Sequence, residues 1–408
     1  MSPARILLTA LLPFASGYFM SYLLRAVNAV VAPDLVRDVG LSPGQLGLLT
    51  AAYLGAFALF QLPLGVLLDR YGPRKVQAGL LCVAALGCVA FALAPGFIGL
   101  FAARAIIGLG FSAGLMASYK SSATWVPIER RSLANTAIMA TGALGVVVAT
   151  EPTEYLVSLI GWRSTFLVFA GFVLAAALFI TTVAPRKDTV GAPAPFSKQF
   201  ADMAAIMRRP LFWRVAPLLG LTSGVQIGIQ TLWAGPWFRD VMGLAREDVA
   251  RHLLWMALSF MFGIFSVGVI ADRLGRRGIG PMPVLLGFNL IYFIAQAIIV
   301  FRVEGLLLPA WLAVAAFGQV AVLAFPWFAA HIGRDLAGRA NATINFTMFV
   351  AAFASQYAVG LIIGLFPQSA SGYDPAAYSW AIGAFLVLQL LAYVWYLMGS
   401  PHKEPVHA

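Results

Sequence analysis

Stretches of roughly 20 apolar residues, separated by short loops, run through almost the whole of this 408-residue chain. A helix of that length crosses about 30 Å of hydrocarbon. Lipid offers the backbone no water to bond, so such stretches close their own hydrogen bonds as helices. Charged residues make up 11% of the chain, whereas soluble domains run at about 25%. There is too little polar surface to cover the chain in water. The runs fall near residues 7–32, 46–68, 76–94, 97–125, 134–158, 164–184, 211–237, 250–271, 282–301, 306–328, 342–366 and 377–398. Turn chemistry marks the breaks, as in Leu41-Ser42-Pro43-Gly44 and Ser371-Gly372-Tyr373-Asp374-Pro375. The chain is therefore predicted to be an all-α membrane protein of about twelve transmembrane helices. Its first apolar run shows no small-residue cleavage site and reads as a spanning helix, not as a removed leader.

The net charge of +11 would raise the question of nucleic acid in a soluble protein, but here the cations sit in short loops. Such placement is a topology signal, because basic residues resist translocation. Alternate loops on one side carry 17 Lys and Arg, among them Arg70, Arg74, Arg186, Lys187, Arg273, Arg334 and Lys403, and the other side carries 6. Both termini and the long central loop with Pro193 and Pro195 are accordingly expected in the cytoplasm. The expected division is an N-terminal six-helix bundle over 1–184, a cytoplasmic linker over 185–210, a C-terminal six-helix bundle over 211–399 and a tail over 400–408. The two cysteines, Cys82 and Cys88, share one apolar run and read as packing residues.

The two halves are related in sequence. Gly65-Val66-Leu67-Leu68-Asp69-Arg70-Tyr71-Gly72-Pro73-Arg74-Lys75 follows the second run, and Gly268-Val269-Ile270-Ala271-Asp272-Arg273-Leu274-Gly275-Arg276-Arg277 follows the eighth. Gly65 and Gly268, Asp69 and Asp272, and Gly72 and Gly275 each stand 203 positions apart. Internal duplication of this kind is a common construction of secondary transporters. In each loop the first glycine allows close helix contact, the aspartate pairs with a cation or caps a helix, and the second glycine permits a tight turn.

This repeated loop resembles the signature of the major facilitator superfamily. Arg104-x-x-x-Gly108-x-Gly110 in the fourth run and Gly161-Trp162-Arg163 before the sixth are similar to further motifs of that family. The resemblance covers the whole chain. It implies a carrier that works by alternating access between two six-helix bundles, with spans one, four, seven and ten lining a central cavity and the repeated loops acting as a conformational gate. One departure stands out. The Gly-Pro motif that proton-coupled drug antiporters carry in span five is replaced by Gly142-Ala143-Leu144-Gly145 followed by Glu151-Pro152, which argues against a drug exporter.

An ionisable group inside hydrocarbon costs at least about 2.5–3.5 kcal/mol, so those retained pair or line an aqueous path. Arg25, Arg104, Lys120, Glu151 and Glu154 qualify, with Arg214 at the margin. Depth along the runs puts Arg25, Arg104 and Glu151 in the periplasmic half, and Glu154 shares a helix face with Glu151. The functional reading is that Arg25 binds an anionic group while Glu151 exchanges a proton. The competing reading is a set of structural pairs inside the first bundle. Lys120 reads either as a snorkelling side chain or as a second cationic substrate contact. Gln226 and Gln230 lie four apart beside Trp233, just ahead of Gly235-Pro236, which is expected to break span seven. These amides read equally well as ligands for a polar solute or as glue between helices. Asn345 in span eleven is a further cavity candidate.

No Walker loop, zincin, Cys-x-x-Cys or Gly-x-Ser-x-Gly pattern is present, so neither enzyme chemistry nor ATP drive is expected, and no cofactor or metal is implied. The reading is a secondary transporter of the cell membrane, the inner one if there are two, for a small organic anion or carboxylate metabolite moved with protons. Its expected partners are that solute, the bilayer and protons, and it is expected to act as a monomer. The rivals are a proton-coupled exporter of drug-like compounds and a membrane sensor built on a carrier scaffold.

Overall fold

A computed structural model describes residues 3–185, 196–333, 336–369 and 372–399. Arg186, Lys187, Pro193, Pro195, Arg334 and Lys403 lie outside the described residues. Contacts divide the chain into two compact units, Met1–Phe196 and Ser197–Ala408.

The first unit contains α1 (Pro3–Ile6), a π-helical turn over Leu7–Leu11, α2 (Leu12–Ala26), α3 (Asn28–Val39), α4 (Pro43–Leu93), α5 (Phe97–Phe111) and α6 (Gly114–Trp125). A 3-10 turn, Ile128–Arg130, then leads into α7 (Arg131–Val148) and α8 (Glu151–Val183). The second unit opens with α9 (Phe196–Met207) and α10 (Pro210–Gly228), a π-helical turn over Ile229–Trp233, α11 (Ala234–Met242), α12 (Arg246–Gly275) and α13 (Pro281–Val300). It continues with α14 (Leu307–Phe317), a 3-10 turn over Val320–Leu323, α15 (Ala324–Ile332), α16 (Ala337–Ile363), a two-stranded hairpin of Gln368–Ser369 with Gly372–Tyr373, and α17 (Pro375–Leu397).

Eleven of the described helical stretches are long and apolar enough to cross a membrane, one fewer than the sequence predicts. The difference lies in α4, whose 51 residues run on through Gly72, where φ is 77° and ψ 158°. Only glycine adopts that conformation without a steric penalty. Gly161 makes the same joint inside α8, with φ 77° and ψ 159°. The sequence repeat does not extend to the backbone, because Gly275 ends a regular helix and the positive φ of the second loop falls three residues later, at Gly278 (φ 80°).

Proline accounts for several of the other interruptions. Its ring has no N–H and clashes with the carbonyl four residues earlier. The π-turn Leu7–Leu11 contains Thr9, four before Pro13, and the π-turn Ile229–Trp233 contains Leu232, four before Pro236. A wider turn lets the ring clear that carbonyl. The break in this segment therefore precedes Gly235-Pro236 instead of falling on it. Pro152 lies in the first turn of α8, where an absent N–H costs nothing, so Glu151-Pro152 opens a fresh helix after a break at Ala149 and Thr150.

Each break frees backbone carbonyls, and side chains from neighbouring helices take them. Ser121 Oγ donates to Ala10 O at 2.6 Å, Gln61 Nε2 to Ser112 O at 2.9 Å, Ser223 Oγ to Gly318 O at 3.2 Å and Gln356 Nε2 to Gly228 O at 3.2 Å. Helix ends are closed the same way. Arg163 Nη1 reaches Ala92 O and Ala94 O at 2.7 and 2.8 Å, Arg209 Nη1 reaches Ile332 O at 3.0 Å, and Arg74 binds Ile180 O and Thr181 O. At one end of the first unit Trp162 Nε1 donates to Asp38 Oδ2 at 2.9 Å. That bond, with the Arg37 guanidinium, holds the Asp38 carboxyl below the usual carboxylate range. In the second unit Asp240 accepts from Arg239, from the Tyr378 hydroxyl at 2.6 Å and from the Tyr373 N–H at 3.2 Å, tying the hairpin to the end of α11. In α9 Met203 and Ile206 are buried, and Asp202 pairs with Arg339 of α16.

Close approach depends on small residues. A Cβ on Gly108 would collide with the backbone of Tyr53, and one on Gly145 with Phe19 O. We expect Gly108→Val to lower the thermal unfolding midpoint in detergent by an amount equivalent to about 1–3 kcal/mol of overpacking. Gly79→Ala, where a Cβ meets nothing within 4 Å, should leave it unchanged or raise it slightly.

Candidate functional site

Arg25 comes one residue before the end of α2, where Val27 interrupts the first helical stretch. Its side chain is 7% exposed, and its guanidinium carbon lies 4.6 Å from the Tyr22 ring centre, 5.0 Å from Phe57 and 5.8 Å from Tyr53. Aromatic faces carry negative charge density, so three rings together replace part of the water a cation loses on burial. Tyr53 is itself held by two bonds to Ser21, its hydroxyl donating to Ser21 O at 3.0 Å.

Arg104, on α5, is fully buried. It donates through Nη1 to Leu24 O at 2.9 Å, and its guanidinium lies 5.3 and 5.8 Å from the ring centres of Phe91 and Phe166. Leu24 is the residue before Arg25, so the structure brings the two arginines to one level. Their surroundings differ. Arg104 lies against two phenyl rings and is fastened to the backbone at the α2 break, whereas Arg25 lies against two phenols and the phenyl ring of Phe57.

Glu151 is half-buried at the start of α8, and Glu154 is 7% exposed one turn further on. Thr150 and Thr153 donate to Val147 O and Val148 O, both at 2.6 Å, closing the end of α7 beside them. Helix α8 packs chiefly against α4 and also touches α2 and α3.

Lys120 has a definite partner. Its Nζ donates to Asp69 Oδ1 at 2.6 Å and to Leu68 O at 2.7 Å, joining α6 to the loop that bears the Gly-Asp-Arg-Gly pattern. The tie gives Lys120 protein partners within the first unit. In the same loop Arg70 stacks on Tyr71 at 5.3 Å and Arg74 reaches the end of α8. The second copy is built otherwise. Asp272 binds Arg276 of its own helix at 2.6 Å, the position 203 beyond Lys120 is Leu323, and a Cβ on Gly268 or Gly275 meets nothing within 4 Å. Neither of those two glycines is held by packing.

In the second unit Gln226 is 2% exposed and its amide bonds to both Gln230 and Gln319. Gln230 lies inside the π-turn, and Gln319 immediately precedes the 3-10 turn between α14 and α15. This amide chain therefore links two helix interruptions. Sequence reasoning missed Gln319, although a lone amide beside Gly318 in an apolar run is the same signal that marked Gln226. Trp233 turns away from the amides, its Nε1 donating to Gln356 O at 2.9 Å. Asn345 is half-buried on α16. His331 is half-buried, its ring tilted by 37° at 4.1 Å from that of Trp327, and it is bonded to the Trp327 carbonyl. Cys88 is buried beside α5, while Cys82 is exposed on α4 and packs no core.

These features define a multi-pass α-helical membrane protein whose buried polar groups gather where its helices are interrupted. The sequence matches the Major Facilitator Superfamily over residues 14–355, and the chain belongs to that family of membrane transporters. It is similar to a probable sulfoacetate transporter of Cupriavidus necator, at 25% identity over 64% of each chain. It is also similar to a hexuronate transporter of Escherichia coli, at 26% over 60% of each. The chain thus spans less than two thirds of the length of these two curated relatives. A niacin transporter of Acinetobacter baylyi is 24% identical over 90% of this chain and 80% of its own. Among solved structures, a bacterial homologue of the human lysosomal transporter Spinster, inward-facing and occupied, superposes with a TM-score of 0.75 at 18% identity over 95% of both chains. That likeness shows a shared fold.

The Lys120 and Asp69 pair is partly exposed, so its strength should be modest. A double-mutant cycle of Lys120→Met and Asp69→Asn, read by thermal unfolding, is expected to give a coupling of about 0.2–1 kcal/mol. Strict additivity would show that the contact carries no energy.

Proposed function

We propose that this chain is a secondary carrier of small organic anions that works by alternating access. The observation that carries the reading is Arg25, a cation in a membrane interior at the point where α2 is interrupted, with aromatic rings on its faces. An intramembrane cation of this kind marks a substrate path by default. Relatives named for sulfoacetate, hexuronate and niacin transport support an acidic substrate.

Taking α4 as two crossings joined at Gly72 converts eleven helical stretches into twelve, six in each bundle, with both termini in the cytoplasm. The interruptions then fall in spans one, four, five, seven and ten. Four of these are the spans that the family resemblance assigns to the central cavity, and interrupted helices are where transporters place their ligands. Arg25 and the Gln226, Gln230 and Gln319 amides are the proposed substrate groups. Asp69 with Lys120, and Asp272 with Arg276, are the proposed gate contacts, broken and remade as the carrier changes face. Glu151 and Glu154 are the proposed proton carriers, working in a monomer.

Thermal-shift measurements on the purified protein should show stabilisation by small carboxylates and none by their neutral amides. Arg25→Gln is expected to weaken that binding at least tenfold. Stabilisation by neutral or cationic compounds alone would exclude an anion carrier. In proteoliposomes Glu151→Gln is expected to abolish uptake driven by a pH gradient while leaving exchange of labelled for unlabelled solute intact. Unchanged gradient-driven uptake would remove the carboxylate from the coupling step.

A further inference from the structure

Arg214 stands four residues into α10, about 6 Å along the axis from its start at Pro210. Its guanidinium carbon lies 5.1 Å from the ring centre of Trp395, near the end of α17. Trp395 Nε1 in turn donates to Trp213 O at 2.9 Å, so the two helices close on each other at this level. Gly399, just past α17, lies against the guanidinium, and a Cβ there would collide with its Nε, Cζ and Nη2. Among the described residues Arg214 makes no hydrogen bond and no ion pair. Its Nε and Nη2 are enclosed without a partner, which leaves Nη1 as the nitrogen that reaches the surface. The hydroxyl of half-buried Tyr396 is close enough to feel this charge and is itself unbonded among the described residues.

The outward side of this seam is apolar, with Trp213, Trp395, Leu397 and Met398 all exposed. Around a spanning helix that side meets lipid, and tryptophans near helix ends mark the boundary between acyl chains and headgroups. The cation therefore lies at headgroup depth. The chain just ahead of α10 is basic as well, with Lys198, Arg208 and Arg209, while Asp202 there is taken by Arg339. A guanidinium that has lost water from two nitrogens and has no counter-charge is costly to keep. At this depth the bilayer itself supplies an anion, the lipid phosphate.

We infer that the seam between α10 and α17 is a binding site for the headgroup of an anionic phospholipid. The phosphate accepts from Arg214 Nη1 and from the Tyr396 hydroxyl, a charge-assisted pairing, while Trp395 holds the face of the guanidinium. Trp213 and the exposed end of α17 lie beside the acyl chains. The local excess of Lys and Arg favours a headgroup of net negative charge over a zwitterionic one, whose ammonium would meet cations. Gly399 belongs to the site because any side chain there would displace the guanidinium.

The test is native mass spectrometry of the purified full-length protein in neutral detergent, titrated with phosphatidylglycerol or phosphatidylcholine, with inorganic phosphate as competitor. Phosphatidylglycerol is expected to bind about fivefold tighter than phosphatidylcholine, the worth of one basic residue at an anionic surface. Inorganic phosphate at equal concentration should not displace it. Arg214→Gln should erase the preference. Tyr396→Phe, which removes one oxygen and keeps the ring, should reduce it roughly threefold and decides the matter if Arg214→Gln does not fold. Arg277→Gln, at an exposed cation between α12 and α13, should leave it unchanged. Equal binding of the two lipids would overturn the site, and so would a preference that survives Arg214→Gln or is undiminished in Tyr396→Phe. An equal loss in Arg277→Gln would assign the effect to general surface charge and overturn it too. Displacement by inorganic phosphate would replace the lipid with a free anion.

Discussion

Hydrocarbon accepts no hydrogen bonds, and that constraint decides where this chain can interrupt its helices. A break frees carbonyl groups, and each must find a donor inside the protein. Ala10, Ser112, Gly228 and Gly318 find theirs in Ser121, Gln61, Gln356 and Ser223, all on other helices. Leu24 finds Arg104. The bonds that make the breaks tolerable are therefore also the bonds that tie helices together.

The two buried arginines show how residue type underdetermines role. Arg104 has phenyl rings on its faces and a backbone carbonyl at its edge, and it secures the α2 break. Arg25 stands one residue from that carbonyl, lies against Tyr22, Tyr53 and Phe57, and keeps a small exposure. The neighbouring carboxylates of α8 begin a helix of their own because Pro152 can only start one there.

Duplication gave the two halves a common loop, but the halves have since taken different chemistry. Asp69 is tied across helices by Lys120, whereas Asp272 is satisfied within one helix by Arg276. Gly72 bends α4 sharply, whereas the corresponding Gly275 is helical and Gly278 turns instead. The intramembrane charges Arg25, Arg104, Lys120, Glu151 and Glu154 lie in the first unit, and most of the carboxamides lie in the second.

The apolar runs, the 203-residue duplication, the family and the intramembrane charges were all legible in the sequence. Each is a property of residues near one another in the chain, and hydrocarbon penalises misplaced charge so strongly that the few charges retained stand out one by one. Gly72 was legible as a turn for the same local reason. Partnership was not. Lys120 meets Asp69 across 51 residues, Gln319 meets Gln226 across 93 and Arg104 meets Leu24 across 80. Helical spacing tells which face a residue occupies but not which helix lies opposite, or at what height. The position of the span-seven break was hidden too, because a proline shifts its strain to the carbonyl one turn earlier. Only packing in three dimensions decided which cation is held by a carbonyl, which by a carboxylate and which lies against rings, since each outcome depends on what the neighbouring helix presents at that depth.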